Sequence, residues 1–255
     1  MNAITDEQVT AYVEANIGQF HDSRIEKLTE LRLPKLLSRK NPYLFKSKNI
    51  IVASDLVQSL LSAHLSSQEE TLFGAFLEGL AVYVAETVHS GMKSGVKGID
   101  LEFTKDGARY IISIKSGPNW GNKSQIDQMK ANFKTAAQVI RQGNRAANVI
   151  AVNGCCYGRD NTPDKGEYFK LCGQEFWEFI TGASDFYTRI IEPLGHEAHR
   201  RDQDFQAKYA AVANTFTAQF TKDFCNKDGT IDWPKLVAFN SSKQHPPRPR
   251  RRRTS

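Results

Sequence analysis

The sequence predicts a mixed α/β fold, a small mixed central β-sheet flanked by helices, with helical additions at the N- and C-terminal ends. Three observations carry that expectation. The stretch from Gly98 to Gln125, GIDLEFTKDGARYIISIKSGPNWGNKSQ, alternates apolar and polar residues on either side of Asp106-Gly107, as a half-buried hairpin does. Helical apolar stripes flank it at residues 67–89 and 124–140. A β-rich run at 148–153 follows, completing the order helix, hairpin, helix, strand.

From the N-terminus, Val9, Val13, Ile17, Ile25, Leu28 and Leu31 fall at helical spacing, so residues 5–31 read as a helix that Pro34 interrupts or restarts. Between Arg24 and Lys48 eight basic residues stand against Glu26 and Glu30. Within that basic segment Asn41-Pro42 marks a turn, and Tyr43 and Phe45 interleave the lysines. Aromatics among cations suit a nucleic-acid surface, although anchoring in a core is the commoner use of such rings. Lys40, Asn41 and Tyr43 are the DNA-facing candidates here. Residues 54–64 read as a short helix capped by Ser54 or Asp55, and a second helix begins near Ser67 with Phe73, Leu77, Leu80, Val84 and Val88 on one stripe. Glu78 sits beside that stripe, where an acid either pairs with a cation or serves a site.

With Asp106 and Gly107 as the turn, Lys105 pairs with Ala108, Glu102 with Ile111 and Asp100 with Ser113, and Lys115 lies diagonal to Asp100. Asp100, Glu102, Ser113 and Lys115 then share one face, while Ile99, Leu101, Phe103, Tyr110, Ile112 and Ile114 point the other way into a core. Diagonal neighbours on a sheet are roughly 7–8 Å apart, within joint reach of one metal ion or one phosphate.

After the hairpin, the loop at 116–123 holds Asn119, Trp120, Asn122 and Lys123, and a helix starts at Ser124 with Ile126, Met129, Phe133, Ala136 and Ile140 on its apolar face. Ser124 with Asp127 resembles a capping box. Asn119, Asn122, Lys123, Ser124 and Gln125 offer groups that read base edges or grip phosphates, and Trp120 is either a stacking ring or a hydrophobic pin. Residues 154–170 form a polar loop in which Arg159, Asn161 and Lys165 are available to DNA. The run 172–225 is mostly helical, with a break near Pro193-Leu194-Gly195. Its His196 and His199 lie one turn apart without a third metal ligand, which reads as a surface pair.

The formal charge of +6 is matched by Lys243, Arg248 and Arg250 to Arg253 alone, so the body is near neutral and the tail at 241–255 is expected to be disordered. The four cysteines have no CxxC spacing, and reduced, partly buried thiols are expected. No uninterrupted apolar run reaches the ~18 residues of a membrane helix, and MNAITDEQ does not read as a signal peptide, so the expectation is a soluble, cytoplasmic protein without a membrane partner.

An acid on one strand and a lysine two residues beyond a polar position on the next resembles the site of PD-(D/E)xK nucleases. The residues here are Ile99-Asp100, twelve intervening positions, then Ser113-Ile114-Lys115. Isoleucine replaces the motif's proline and serine replaces its second acid. The blocks KNPYLF at 40–45, LSSQEETLFGAFLE at 65–78, IKSGPNWGNKSQ at 114–125 and NGCCYGRDNTPDKGEYFKLCGQEFWEFITG at 153–182 are similar to type II restriction endonucleases of this superfamily, in a branch that cuts GC-rich interrupted palindromes. The resemblance spans about residues 35–195. It implies a restriction-endonuclease-like core at 65–170, a helical N-terminal region with the basic DNA-facing segment at 1–64, and a C-terminal helical region at 171–240.

The resemblance further implies Mg²⁺-dependent hydrolysis of double-stranded DNA by a homodimer, and a DNA methyltransferase as functional partner rather than stable subunit. Asp100 and the carbonyl of Ile114 would be metal ligands, and Lys115 would hold the scissile phosphate and orient the water. Ser113 supplies no charge, so the missing carboxylate falls to Glu78 or Glu102. Two other readings stand beside this one. A repair or structure-specific nuclease would share the core, and a DNA-binding module with a dead nuclease core would explain the serine.

Overall fold

The structure is a computed structural model that describes residues 3–196 and 198–243, apart from the side chains of residues 199 and 200. The tail expected at 241–255 therefore lies outside the described residues from 244 onward, as does the side chain of His199. In chain order the elements are α1 (Asp6–Thr29), α2 (Leu33–Leu37), α3 (Pro42–Ser47), α4 (Ala53–His89), β1 (Met92–Lys93), β2 (Leu101–Lys105), β3 (Ala108–Lys115), α5 (Lys123–Gly143), β4 (Val149–Cys155), β5 (Phe169–Cys172), α6 (Gln174–Thr181), α7 (Phe186–Arg189), α8 (Ile191–Gly195), α9 (Ala198–Phe224) and α10 (Trp233–Ser241). The strands form one mixed sheet in the order β1-β2-β3-β4-β5, antiparallel through β3 and parallel from β3 to β5. This is the mixed sheet with flanking helices that the sequence predicts.

The chain divides into two compact units, Met1–His21 with Glu70–Arg201, and Asp22–Glu69 with Asp202–Ser255. The first unit holds the sheet. One face, with Leu101, Phe103, Ile112 and Ile114, packs against Val9 and Val13 of α1, Leu80 and Val84 of α4, and Phe176 and Trp177 of α6. The other face packs Ile111 against Met129, Phe133 and Ala136 of α5. The second unit is helical, with Leu33, Leu36, Leu56, Leu61, Phe216 and Phe220 in its core.

The hairpin register is the predicted one, with Lys105 opposite Ala108 and Glu102 opposite Ile111. Asp106 and Gly107 both take left-handed backbone, as the tight turn that matches strand twist requires. One assignment changes: Ile99 precedes β2 and packs with Ile111 and Met129, on the opposite face from Leu101 and Phe103.

Four other expectations are corrected. The two helices read at 54–64 and 67–89 are one helix, α4, because neither glycine nor proline stands between Ala53 and Phe73 to end the first. Asn41-Pro42 opens α3: Asn41 Oδ1 accepts from the amides of Tyr43 and Leu44, and Pro42 occupies the first turn, where its missing N–H costs nothing. The capping box of α5 is Asn122 with Gln125, not Ser124 with Asp127. The polar segment after β4 ends in a short strand, β5, at Phe169.

By length and hydropathy α4 passes for a membrane-crossing helix. Its apolar residues are instead packed into protein, Leu56, Val57, Leu60 and Leu61 in one core and Leu80, Ala81, Val84 and Ala85 in another. Cys155, Cys156, Cys172 and Cys225 are all free thiols, the first three buried.

Candidate active site

Asp100 sits one residue before β2, and its backbone N–H still donates to Ile112 O at 2.8 Å, extending the ladder by one rung. Its side chain turns along the end of β3. Asp100 Oδ2 accepts from the Ile114 amide at 2.6 Å and from Ser113 Oγ at 3.4 Å. The Lys115 ammonium lies 3.8 Å from the same oxygen and donates to Ile114 O at 2.7 Å. A carboxylate oxygen and a backbone carbonyl therefore already converge on one cation.

Glu78, on α4, is half-buried and feels the charges of this group. Burial first, and the neighbouring charge of Asp100 second, push its carboxyl above the usual range, against an opposing pull from Lys115 and Lys93. A cation bound beside Asp100 would also offset its repulsion of Glu78. Asp100 and the Ile114 carbonyl are hard oxygen donors of the kind a magnesium ion takes, with Glu78 the candidate second carboxylate, and water and phosphate oxygens would complete its shell. Beneath them the Cys156 thiol is pushed up to about 12 by burial and then by Glu78, so it stays neutral and is no nucleophile.

Glu102 does not join this group. Only 7% exposed, it accepts from Ser94 Oγ and pairs with Arg109 Nη2 at 2.9 Å, so both oxygens are occupied. Ser113 is 2% exposed, and its hydroxyl is turned to Asp100. Its part is to hold that carboxylate.

The loop after β3 is tied to the sheet at two points, through Trp120 and Pro118, and the first is backed by a bond within the sheet. Trp120 Nε1 donates to Asn153 Oδ1 at 3.1 Å, Asn153 Nδ2 donates to Ser113 O at 3.1 Å, and Lys170 Nζ donates to Pro118 O at 2.9 Å. Trp120 is thus a pin, and its ring centroid is 5.3 Å from Lys115 Nζ. Asn122 and Gln125 spend their carbonyl oxygens on the helix cap, while Asn119, Lys123 and Ser124 are exposed. Asn119 and Trp120 border a pocket of about 430 Å³ together with Glu70, Ser116 and Tyr157.

A second pocket, of about 450 Å³, is lined by Tyr157, Arg159, Asn161, Gln174 and Tyr187. Lys165 is held by Asp160 at 2.8 Å, and Lys170 by the same carboxylate at 3.3 Å. Lys165 first, among other donors, keeps Asp160 below the usual carboxylate range. In the other compact unit, Lys40 Nζ donates to Ala63 O at 3.0 Å and Asn41 caps α3, while Tyr43 is exposed and Phe45 is a core anchor. Sequence reasoning missed Asn153 and Tyr157. A polar residue inside an apolar strand was the available sign for Asn153, and for Tyr157 there was none.

The model of one protein family, described as "Type II restriction endonuclease EcoO109I", matches residues 7–202 of the chain. No curated protein matches it.

Proposed function

The chain belongs to the type II restriction endonuclease EcoO109I family, and on that premise we propose that it hydrolyses double-stranded DNA at a short palindromic site with Mg²⁺, using Asp100, Glu78, Ile114 and Lys115. The convergence of Asp100 Oδ2, Ile114 O and the Lys115 ammonium is the observation that carries this reading. Asp100, Glu78 and the Ile114 carbonyl would hold the ion. Bound there, magnesium supplies charge neutralisation at the phosphate and a more acidic water.

The remaining work falls to the chain's own groups. Lys115 exchanges its internal contacts for a phosphate oxygen and orients the attacking water. Ser113 Oγ and the Ile114 amide fix the Asp100 carboxylate so that its free lone pairs face the site. Asn119, Lys123, Arg159 and Asn161 are the exposed candidates for base and phosphate contact. The donors of Asn122 and Gln125 are a further pair of base contacts. A GC-rich interrupted site, a cytoplasmic homodimer whose two-fold axis mirrors the palindrome, and a companion methyltransferase complete the proposal.

Digestion of a mapped plasmid with and without Mg²⁺ tests it. Discrete fragments that need the ion and vanish in Asp100→Ala are expected. Random nicking would point to a structure-specific nuclease, and site-specific binding without cutting to an inactive DNA-binding module, the reading that Ser113 in place of an acid favours.

A further inference from the structure

Tyr157 leaves the end of β4 with half its surface exposed, yet its backbone is built into the catalytic end of the sheet. The Cys156 amide donates to Lys115 O at 2.9 Å and the Tyr157 amide to Ser116 O at 3.1 Å, so the two loops that leave β3 and β4 are zipped together directly after the lysine. The phenol then lies across Gly117. A Cβ added at Gly117 would stand 2.3 Å from Tyr157 Cζ and 2.6 Å from its Oη, so only glycine lets the ring take this position. On the next residues the same closeness recurs, since a Cβ at Gly158 would meet Pro118 at 2.5 Å. Tyr157 borders both pockets, the one lined by Ser116, Asn119 and Trp120 and the one lined by Arg159 and Gln174. Among the described residues its hydroxyl has no hydrogen-bond partner.

We propose that Tyr157 is a DNA-backbone contact: its hydroxyl donates to a phosphate oxygen next to the scissile bond, held in place by the packing of the phenol on Gly117. This rests on the nuclease reading above. Tyrosine hydroxyls are among the groups that position proteins on phosphates, and a bond to a charged acceptor is stronger than a neutral one. The ring is fixed before DNA arrives, so little side-chain freedom is lost on contact. A phosphate carries no sequence information, so this contact strengthens cognate and altered duplexes alike.

The test uses the full chain in Ca²⁺ with a duplex bearing the site mapped from its own fragments. Tyr157→Phe keeps the ring and loses the donor; its Kd is expected to rise roughly tenfold on cognate and altered duplexes alike, with an unchanged thermal midpoint. Gly117→Ala, which displaces the phenol without removing it, should give a loss of the same kind. In a series of duplexes each carrying one neutral methylphosphonate near the cut, one position should weaken the wild-type protein and leave Tyr157→Phe indifferent. Wild-type affinity in Tyr157→Phe overturns the proposal, and so does a loss confined to the cognate duplex, which would make the contact a base contact. A wild-type chain that retains no duplex overturns the nuclease reading and this inference with it.

Discussion

Two acids two residues apart, Asp100 just before β2 and Glu102 within it, meet opposite fates. Inside the strand Glu102 is enclosed, with Arg109 and Ser94 occupying its oxygens. At the open end Asp100 is held by one amide and one hydroxyl, and its remaining neighbours are a second carboxylate and a lysine. A carboxylate with a resident arginine is neutralised and stabilises the fold, whereas Asp100, whose cation is a lysine 3.8 Å away, is the one proposed to take an added ion. Spacing makes the two acids equivalent, and partners separate them.

The largest expected effect lies at the open end. Asp100→Ala and Lys115→Ala should each lower cleavage on the order of 1,000-fold or more in folded protein, while binding in Ca²⁺ survives better. Near-normal turnover in either variant would erase the distinction between the two acids.

Next, Glu78→Gln should raise the Mg²⁺ concentration needed for activity by at least about tenfold, while Glu102→Gln leaves it unchanged and costs about 1–2 kcal/mol of stability through the uncompensated Arg109. Metal titrations and denaturant melts of both variants check this, and the reverse order would move the second acid to Glu102. Glu78→Gln has a second signature. A carboxyl whose folded pKa is raised stabilises the fold only while protonated, and that contribution is lost as pH rises through the raised pKa. The metal-free variant should therefore match wild type in acid and melt at a higher temperature at neutral pH, as thermal scans at the two pH values check.

Asn122→Ala removes the α5 cap and should cost about 1 kcal/mol, measured by chemical denaturation. A loss of sequence discrimination beyond that change would show that its amide also reads DNA. The smallest effect concerns Asp160, whose carboxyl is depressed by Lys165 first. Its stabilising contribution is present above the ordinary carboxylate range and is lost as pH falls through the depressed value. Asp160→Asn should lower the melting temperature slightly at neutral pH and not at all in acid.

The hairpin register was legible because an Asp-Gly turn pins it and one slipped residue would exchange its two faces. Asp100 and Lys115 followed from that register. Glu102 was not separable from Asp100 by spacing, because Ser94 lies outside the hairpin and Arg109 is one of two cations within reach. The start of α5 was ambiguous for a local reason: Asn122-Gln125 and Ser124-Asp127 are overlapping capping sequences, and the first captures the helix two residues earlier. The β5 strand is four residues long, too short for alternation to show, and it forms by pairing with β4. Asn153 and Tyr157 owe their places to contacts with the loop after β3, which only tertiary structure reveals.

Asn153, 1% exposed, carries a consequence for how tightly DNA can be held. Its amide has its oxygen committed to the indole of Trp120 and its nitrogen to the Ser113 carbonyl, so flipping the amide would break both bonds at once. The loop from Ser116 onward thereby inherits the stiffness of the sheet. Ordering of this loop is completed during folding, and duplex association need not repeat it, so its share of the binding entropy is small. Asn153→Asp, which keeps the acceptor for Trp120 and removes the donor to Ser113, would loosen that linkage and return the ordering cost to the encounter with DNA.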